Sequence, residues 1–238
     1  MVVNYDYTSE DILYEQFRTG YPAEWTEAPK GDLVSVGFYN TMFIWPLLSF
    51  GWENFMLCAL DDRFERIMDE FRELNRRAFR AFARLPVNFV ICHDDIVKTR
   101  GPVCSPEWMH KYIFLAYEEL WSIVRASGKE VIFMADGCVD AYADDVMALG
   151  ARGIISEPYT DYKRLARKYQ DCFLAGEGDN RILMRCGKDE IRNMVLNMVE
   201  TAHMSGGYAM GIGNHIPWNV PPEGVKYYLD FCQELAHR

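Results

Sequence analysis

The feature that most constrains the fold of this 238-residue chain is a regular alternation of short apolar runs with longer segments of helical periodicity. Strands that alternate with helices indicate a parallel sheet. The runs are apolar throughout, as strands are when both faces of the sheet are buried. The predicted strands are 33–38, 87–92, 131–134, 153–156, 172–175 and 208–212. The predicted helices are 7–17, 61–85, 105–127, 161–169, 188–204 and 221–236, with a further helix that ends at Leu149.

The residues that follow the strands favour a closed barrel over an open sheet. No strand is followed by the GxGxxG or GxxxxGK[ST] sequence of nucleotide-binding open sheets. Polar and acidic side chains instead follow one strand after another, as they do at the active-site face of barrel enzymes. We therefore predict an α/β fold of the TIM-type (β/α)8 barrel, with residues 1–238 as a single domain. Because six strands fall short of the eight in such a barrel, we expect it to be incomplete at its N-terminus within this chain.

The overall charge narrows the range of partners. The formal net charge is −10, which argues against binding of nucleic acid or of an anionic membrane surface. No run approaches the roughly 18 apolar residues of a membrane span. The seven cysteines stand singly, without a CxxC pair, which is typical of reduced thiols. We therefore expect a cytoplasmic protein that acts on a small molecule and has neither a nucleic-acid nor a membrane partner.

The side chains that follow the predicted strands are the candidates for chemistry. Carboxylates and imidazoles in this position can act as acids, bases or ligands, because the strand ends of a barrel meet at one face. Adjacent residues on a strand point to opposite faces, so only one of Asp94 and Asp95 is expected to face the pocket. The candidates are His93, Asp94, Asp95, Asp136, Glu157, Glu177, Asn214 and His215.

Each candidate also has an ordinary structural interpretation. Asp136 could be the N-cap of the helix that follows it, and Asp179 could cap a helix in the same way. Glu157 could be a rim residue in an ion pair, and each histidine a hydrogen-bonded loop residue. Carboxylates together with a histidine also suit zinc or a harder divalent ion. The candidate metal ligands are Asp136, Glu177 and His215, and the sequence leaves open whether a metal binds.

Six short motifs occur in the order and at the spacing of a known family. They are Asp94-Asp95-Ile96, Ser105-Pro106-Glu107-Trp108, Asp136-Gly137, Leu149-Gly150-Ala151, Gly176-Glu177-Gly178-Asp179 and Pro222-Glu223-Gly224. With these motifs the chain resembles the uroporphyrinogen decarboxylase superfamily, which includes the decarboxylase itself and corrinoid-linked methyltransferases. The resemblance covers about residues 32–236. It implies a TIM-type barrel with its active site on the loops that follow the strands.

The resemblance also implies roles for the candidates. In the decarboxylase, the aspartate that matches Asp95 orients pyrrole N–H groups and stabilises positive charge on the protonated ring, a role that suits a carboxylate acceptor. We accordingly expect Asp95, Asp136 and His215 to be catalytic. The residues expected to bind substrate are His93, Asp94, Glu157, Glu177 and Asn214.

Two departures from the superfamily bear on the activity. Its zinc-dependent methyltransferases use one histidine and two cysteines as ligands, and the matching positions here are Met134, Asp136 and Asn214. That standard ligand set is absent, so the cofactor is open, with zinc held by another set of residues as one alternative. The arginine-rich N-terminal segment that holds substrate carboxylates in the decarboxylase has no counterpart in this sequence.

We expect an enzyme of the decarboxylase or corrinoid-methyltransferase type that uses strand-end carboxylates and a histidine. The alternative is a non-catalytic or accessory barrel that binds a corrinoid or another small ligand. A third interpretation is an unrelated barrel enzyme, an aldolase or a glycosidase, which needs a Schiff-base lysine or a carboxylate pair. The expected partners are a small-molecule substrate, a corrinoid protein for the methyltransferase alternative, and a second copy of the chain in a homodimer.

Overall fold

The computed structural model describes residues 5–20, 33–39 and 41–235, and the chain divides into two compact units. The first unit comprises the described residues up to Ile96, with Cys104–Phe133 and Asp145–Ala151. The second comprises Val97–Val103, Met134–Asp144 and the described residues from Arg152 onwards. Residues 32 and 236, at which the family resemblance was predicted to begin and end, lie outside the described residues, and residue 236 was also the predicted end of the last helix.

The described helices and strands alternate along the chain as the sequence predicts. The strands are β1 (Ser35–Tyr39), β2 (Phe89–His93), β3 (Val97–Lys98), β4 (Gly101–Pro102), β5 (Glu130–Ala135), β6 (Gly153–Ser156), β7 (Phe173–Ala175) and β8 (Gly207–Ala209). The helices up to β5 are α1 (Glu10–Gly20), α2 (Ile44–Phe50), α3 (Trp52–Cys58), α4 (Phe64–Arg84), α5 (Pro106–Met109) and α6 (Leu115–Ala126). The later helices are α7 (Ala143–Ala148), α8 (Tyr162–Lys168), α9 (Asn180–Arg185), α10 (Lys188–Met204) and α11 (Pro222–Leu235).

The core of the first unit is built on β1 and β2 with α1 and α4 against them. The two strands pair in parallel, and Tyr39 at the end of β1 lies opposite His93 at the end of β2. The rings of Phe17 in α1 and Phe82 in α4 stack with 4.5 Å between their centroids, and Phe82 also contacts Phe38 of β1 at 5.2 Å. These buried rings explain why the apolar periodicity of both helices was readable from the sequence.

Helices α2 and α3 were not predicted. The start of α2 is fixed from a distant part of the chain, because the N–H groups of Phe43 and Ile44 donate to the carboxylate of Asp94 at 2.8 and 2.7 Å. Gly51, with φ of 75°, separates α2 from α3 in a conformation that glycine adopts without steric cost. The capping residue is 50 positions from Ile44, so the local sequence carries no start signal for this helix.

The helix predicted over 105–127 is confirmed, with an interruption that the sequence does not reveal. Ser105 Oγ accepts the N–H of Trp108 at 3.3 Å, and Pro106 occupies the first helical turn. Between α5 and α6, the residues His110–Phe114 form a π-helical turn.

The second unit contains the parallel strands β6, β7 and β8, in which Gly153 lies opposite Phe173 and Phe173 opposite Gly207. Strand β8 ends at Ala209, so the prediction of a strand to residue 212 was too long. Beyond Ala209, Ile212 forms an isolated parallel bridge with Gly178. The antiparallel hairpin of β3 and β4 was also not predicted, since each of its strands has two residues.

The fold class is confirmed as α/β with a mostly parallel sheet. The larger sheet in the described part of the chain has six strands in the order β1-β2-β5-β6-β7-β8, and the pairs β1–β2, β6–β7 and β7–β8 are parallel. Closure into an eight-stranded barrel and the single domain over 1–238 stay predictions. Within the described ranges, no helix is long and apolar enough to cross a membrane.

Candidate functional site

Two of the predicted catalytic and binding residues form a pair at the end of β2 in the first unit. His93 Nε2 lies 3.0 Å from Asp95 Oδ1, and the side chains are 12% and 20% exposed. The ring of Tyr39 stands edge-on to the imidazole, with 4.2 Å between the centroids. A carboxylate in this position fixes the orientation of the imidazole, and it favours the tautomer with a proton on Nε2. A histidine oriented by a carboxylate in this way is found both in catalytic sites and in metal sites.

Asp94, between them in sequence, points into the core of the first unit. It is fully buried and accepts hydrogen bonds from the N–H groups of Phe43 and Ile44 and from the Tyr117 hydroxyl, the last at 2.7 Å. Burial raises the pKa of Asp94, and these hydrogen bonds act in the opposite direction. The contacts favour a structural role, the capping of α2, over the predicted contact with substrate.

In the second unit, three predicted residues from three strand ends meet at one amide group. Asn214 Nδ2 donates to Asp136 Oδ2 at 3.0 Å and to Glu157 Oε1 at 3.2 Å. Asp136 directly follows β5, Glu157 directly follows β6, and Asn214 lies in the loop after β8. We call this group the Asp136–Asn214–Glu157 cluster. Helix α7 begins only at Ala143, so Asp136 lies too far before it in the chain to be its N-cap.

The orientation of the Asn214 amide follows from its second contact. Its Oδ1 accepts the backbone N–H of His215 at 2.7 Å. A backbone N–H can only donate, so the oxygen of the amide must face it and the nitrogen must face the two carboxylates. Asn214 is therefore a hydrogen-bond donor within the cluster.

The backbone on either side of the cluster is closely packed. Gly213 has no room for a side chain, because a Cβ there would lie 2.4 Å from the oxygen of Gly176 and 2.7 Å from Cα of Glu157. Its N–H donates to the oxygen of Gly178 at 2.9 Å. On the other side of Asn214, the oxygen of His215 accepts from Asn180 Nδ2 at 2.7 Å. The chain thus holds Asn214 from both neighbours and places its amide beside Glu157.

Glu177 and Asp179 are engaged in contacts of their own in the second unit. The carboxylate of Glu177 accepts from Asn197 Nδ2 at 2.6 Å, Thr201 Oγ1 at 3.1 Å and the Tyr208 hydroxyl at 2.7 Å, so it faces α10. Burial raises the pKa of Glu177, against these hydrogen bonds. Asp179 is the N-cap of α9, which confirms the capping interpretation.

The three metal ligands proposed from the sequence do not converge on one point among the described residues. Asp136 belongs to the cluster with Asn214, and Glu177 faces α10. His215 has an exposed side chain, and its main chain makes its contacts with Asn214 and Asn180. In the structure, therefore, the side chains of His215 and Glu177 do not lie together with Asp136 as one set of metal ligands.

The positions that match the zinc ligands of the superfamily's methyltransferases do not fit zinc. Met134 offers a thioether, which is a poor ligand for this ion. Asn214 turns the NH2 of its amide toward Asp136, and its oxygen is used by the N–H of His215. An NH2 group donates and cannot ligate a cation, so only Asp136 of the three presents a ligand atom that suits zinc.

Arg181 is a residue of this region that sequence reasoning missed. Its guanidinium binds both oxygens of Asp179 through Nε and Nη2, at 2.7–3.0 Å, and lies over the ring of Tyr159 with 4.8 Å to the centroid. Tyr159 is two residues after Glu157. No local signal distinguishes this arginine from the other basic residues of a solvated surface, because its position depends on a loop from another strand.

In α/β proteins with parallel strands, ligand sites lie beyond the carboxyl ends of the strands, where the carboxylates described above are found. A family model described as uroporphyrinogen decarboxylase (URO-D) matches residues 52–235. The chain belongs to this family, which confirms the resemblance stated from the motifs. None of the curated proteins compared with the chain matches it.

Proposed function

We propose that this chain is a decarboxylase-type enzyme that acts on a small molecule, with Asp136 as its catalytic carboxylate. The observation that carries the proposal is the pair of hydrogen bonds from Asn214 Nδ2 to Asp136 and Glu157, at 3.0 and 3.2 Å. They bring two half-buried carboxylates from different strand ends together and fix their orientation before any substrate binds. Charge that is held in place in advance costs no reorganisation during the reaction.

The chemistry that suits such a carboxylate pair is stabilisation of a cationic intermediate. A proton adds to the ring carbon that bears the carboxyl group of the substrate, and positive charge spreads over the ring. The carbon–carbon bond to the carboxyl group then breaks, its electron pair returns to the ring, and carbon dioxide leaves. Asp136 stabilises the cation, and Glu157 adds negative potential beside it.

The decarboxylase type is preferred to the methyltransferase type because Met134 and Asn214 do not fit zinc. The proposal needs a small-molecule substrate, and it does not call for a corrinoid protein.

The proposal is tested by release of labelled carbon dioxide from pyrrole-2-carboxylate, in which the carboxyl group is bonded to a ring carbon as the proposed step requires. We expect Asp136→Asn to lower kcat about 100-fold or more, because the amide cannot balance the positive charge of the intermediate. KM should change little, since the side chain keeps its size and its place. The matched control is Asp230→Asn, which removes an exposed carboxylate paired with Lys226 and should leave kcat unchanged. Equal turnover by Asp136→Asn and the wild type would overturn the proposal.

A further inference from the structure

The guanidinium of Arg181 is held rigidly on one edge. Its Nε lies 2.9 and 3.0 Å from the two oxygens of Asp179, and its Nη2 lies 2.7 Å from one of them. Asp179 is itself fixed as the N-cap of α9. The face of the guanidinium lies over the ring of Tyr159, 4.8 Å from its centroid. An arginine fixed by a carboxylate and an aromatic ring loses little conformational freedom when it binds a further group.

The other edge of the same guanidinium is presented outward. Among the described residues, none accepts a hydrogen bond from Nη1 of Arg181, and the side chain is 58% exposed. Arginine has five N–H donors in a planar fork, and the Nη1 edge is suited to a planar carboxylate. Arg185, on the same helix, has a similar exposure of 56% but lies beside Glu190.

Contacts on two sides connect Arg181 with the Asp136–Asn214–Glu157 cluster. Tyr159, under the guanidinium, lies in the loop that begins with Glu157, and the charge of Glu157 contributes after Asp179 and Tyr159 to the raised pKa of Arg181. Asn180, its neighbour in sequence, donates to the oxygen of His215, the residue after Asn214. Tyr159 and Asn180, the two neighbours of Arg181, are thus joined to the segments that carry Glu157 and Asn214.

We propose that Arg181 is the residue that binds the carboxylate of the substrate, and that the substrate class is a small heteroaromatic acid. The inference rests on the proposed function, which gives the position of the ring. The contacts of Arg181 give the position of the carboxylate. An acid of this class places its ring against Asp136 and Glu157 and its carboxylate against Nη1 of Arg181. The arrangement selects for one negative group at one end of the ligand.

The test is the binding of pyrrole-2-carboxylate, followed through the Nε–H signal of Arg181 in NMR spectra and by calorimetry. The signal is identified by its loss in Arg181→Gln. We expect Arg181→Gln to weaken binding about tenfold or more, because a charge-assisted hydrogen bond is lost. Arg181→Lys keeps the charge without the planar fork, so its affinity should lie between those of Arg181→Gln and the wild type.

Two controls separate the carboxylate contact from general effects. Arg185→Gln removes an equally exposed charge from the same helix and should bind the probe as the wild type does. Pyrrole-2-carboxamide, which has no charge, should bind equally weakly to all four proteins. The proposal is overturned if the carboxylate does not shift the Arg181 signal, or if Arg181→Gln binds it with unchanged affinity.

The two proposals fail in different ways. Asp136→Asn should still bind the probe while losing release of carbon dioxide, because the carboxylate contact at Arg181 is intact. Weakened binding in Arg181→Gln without any turnover by the wild type would support the anion site and contradict the decarboxylase assignment. Turnover that depends on Asp136 but is unaffected in Arg181→Gln would support the decarboxylase assignment and contradict the anion site at Arg181.

Discussion

Asp94 illustrates how burial and hydrogen bonding compete over one carboxyl group. Burial raises the pKa of Asp94, while the N–H groups of Ile44 and Phe43 and the Tyr117 hydroxyl lower it, and burial is the larger effect. The folded protein therefore binds this proton more tightly than the unfolded chain does. The stability that this proton contributes is fully present below the pKa of an unfolded aspartate, and it is lost as the pH rises through the folded-state pKa.

Asp94→Asn should remove that pH dependence. We expect the free energy of unfolding to fall by about 1–3 kcal/mol. The NH2 of the new amide is a donor, so it cannot accept the hydrogen bonds that the carboxylate of Asp94 now accepts. The difference between wild type and variant should widen as the pH falls through the folded-state pKa of Asp94, since only the wild type gains from protonation. Urea unfolding at several pH values measures it, with Asp230→Asn as an exposed control. A difference that does not vary with pH would contradict this account.

The sequence could predict that Asp94 and Asp95 point to opposite sides, because that follows from strand geometry alone. It could not predict which of them is buried, since the partners of Asp94 are residues 43, 44 and 117. Glu177 shows the same limit. It follows a strand like Asp136, but the polar side chains of α10 and Tyr208 engage its carboxylate.

At the scale of elements, the turn after β5 depends on one glycine. Gly137 has φ of 116°, and its oxygen accepts from Ser156 Oγ at 2.8 Å. A Cβ at this position would lie 2.5 Å from the carbonyl carbon of Lys98, so the turn and the hairpin of β3 and β4 meet without space between them. The residue immediately before Gly137 is Asp136, and the packing of the turn therefore sets the position of that carboxylate.

Gly137→Ala should destabilise the protein by more than about 1 kcal/mol, because it combines an unfavourable backbone conformation with a clash against main-chain atoms. Gly37→Ala is the matched control, since a Cβ at Gly37 would meet no atom within 4 Å and the φ of this residue is not positive. Thermal and urea unfolding compare the two. Equal stability of the two variants would show that the turn can relax.

The elements that were predicted and those that were missed differ in where their signals lie. Helices α4 and α10 have long apolar faces, and Ser105-Pro106 marks the start of α5 within the local sequence. Helix α2 is capped by Asp94 from another segment, and α9 has only six residues. The sequence predicts elements that carry their own periodicity and caps, and it misses those that are short or completed by distant residues.

At the scale of the whole molecule, alternation and strand-end polarity were enough to predict the fold class, and six motifs were enough to predict the family. The family match over residues 52–235 includes every candidate residue named from the sequence. The convergence of Asp136, Glu157 and Asn214 could be expected only in outline, since their contacts join positions 57 and 78 residues apart. Barrel closure, a homodimer and a cytoplasmic location stay predictions.

The measurement that tests the central claim most directly is a crystal structure of the whole chain with pyrrole-2-carboxylate bound. We predict the ring beside the carboxylates of Asp136 and Glu157, with Asn214 Nδ2 still donating to both, and the carboxylate of the ligand at Nη1 of Arg181. A ligand bound away from Asp136, or an Asn214 amide turned away from the two carboxylates, would contradict the account.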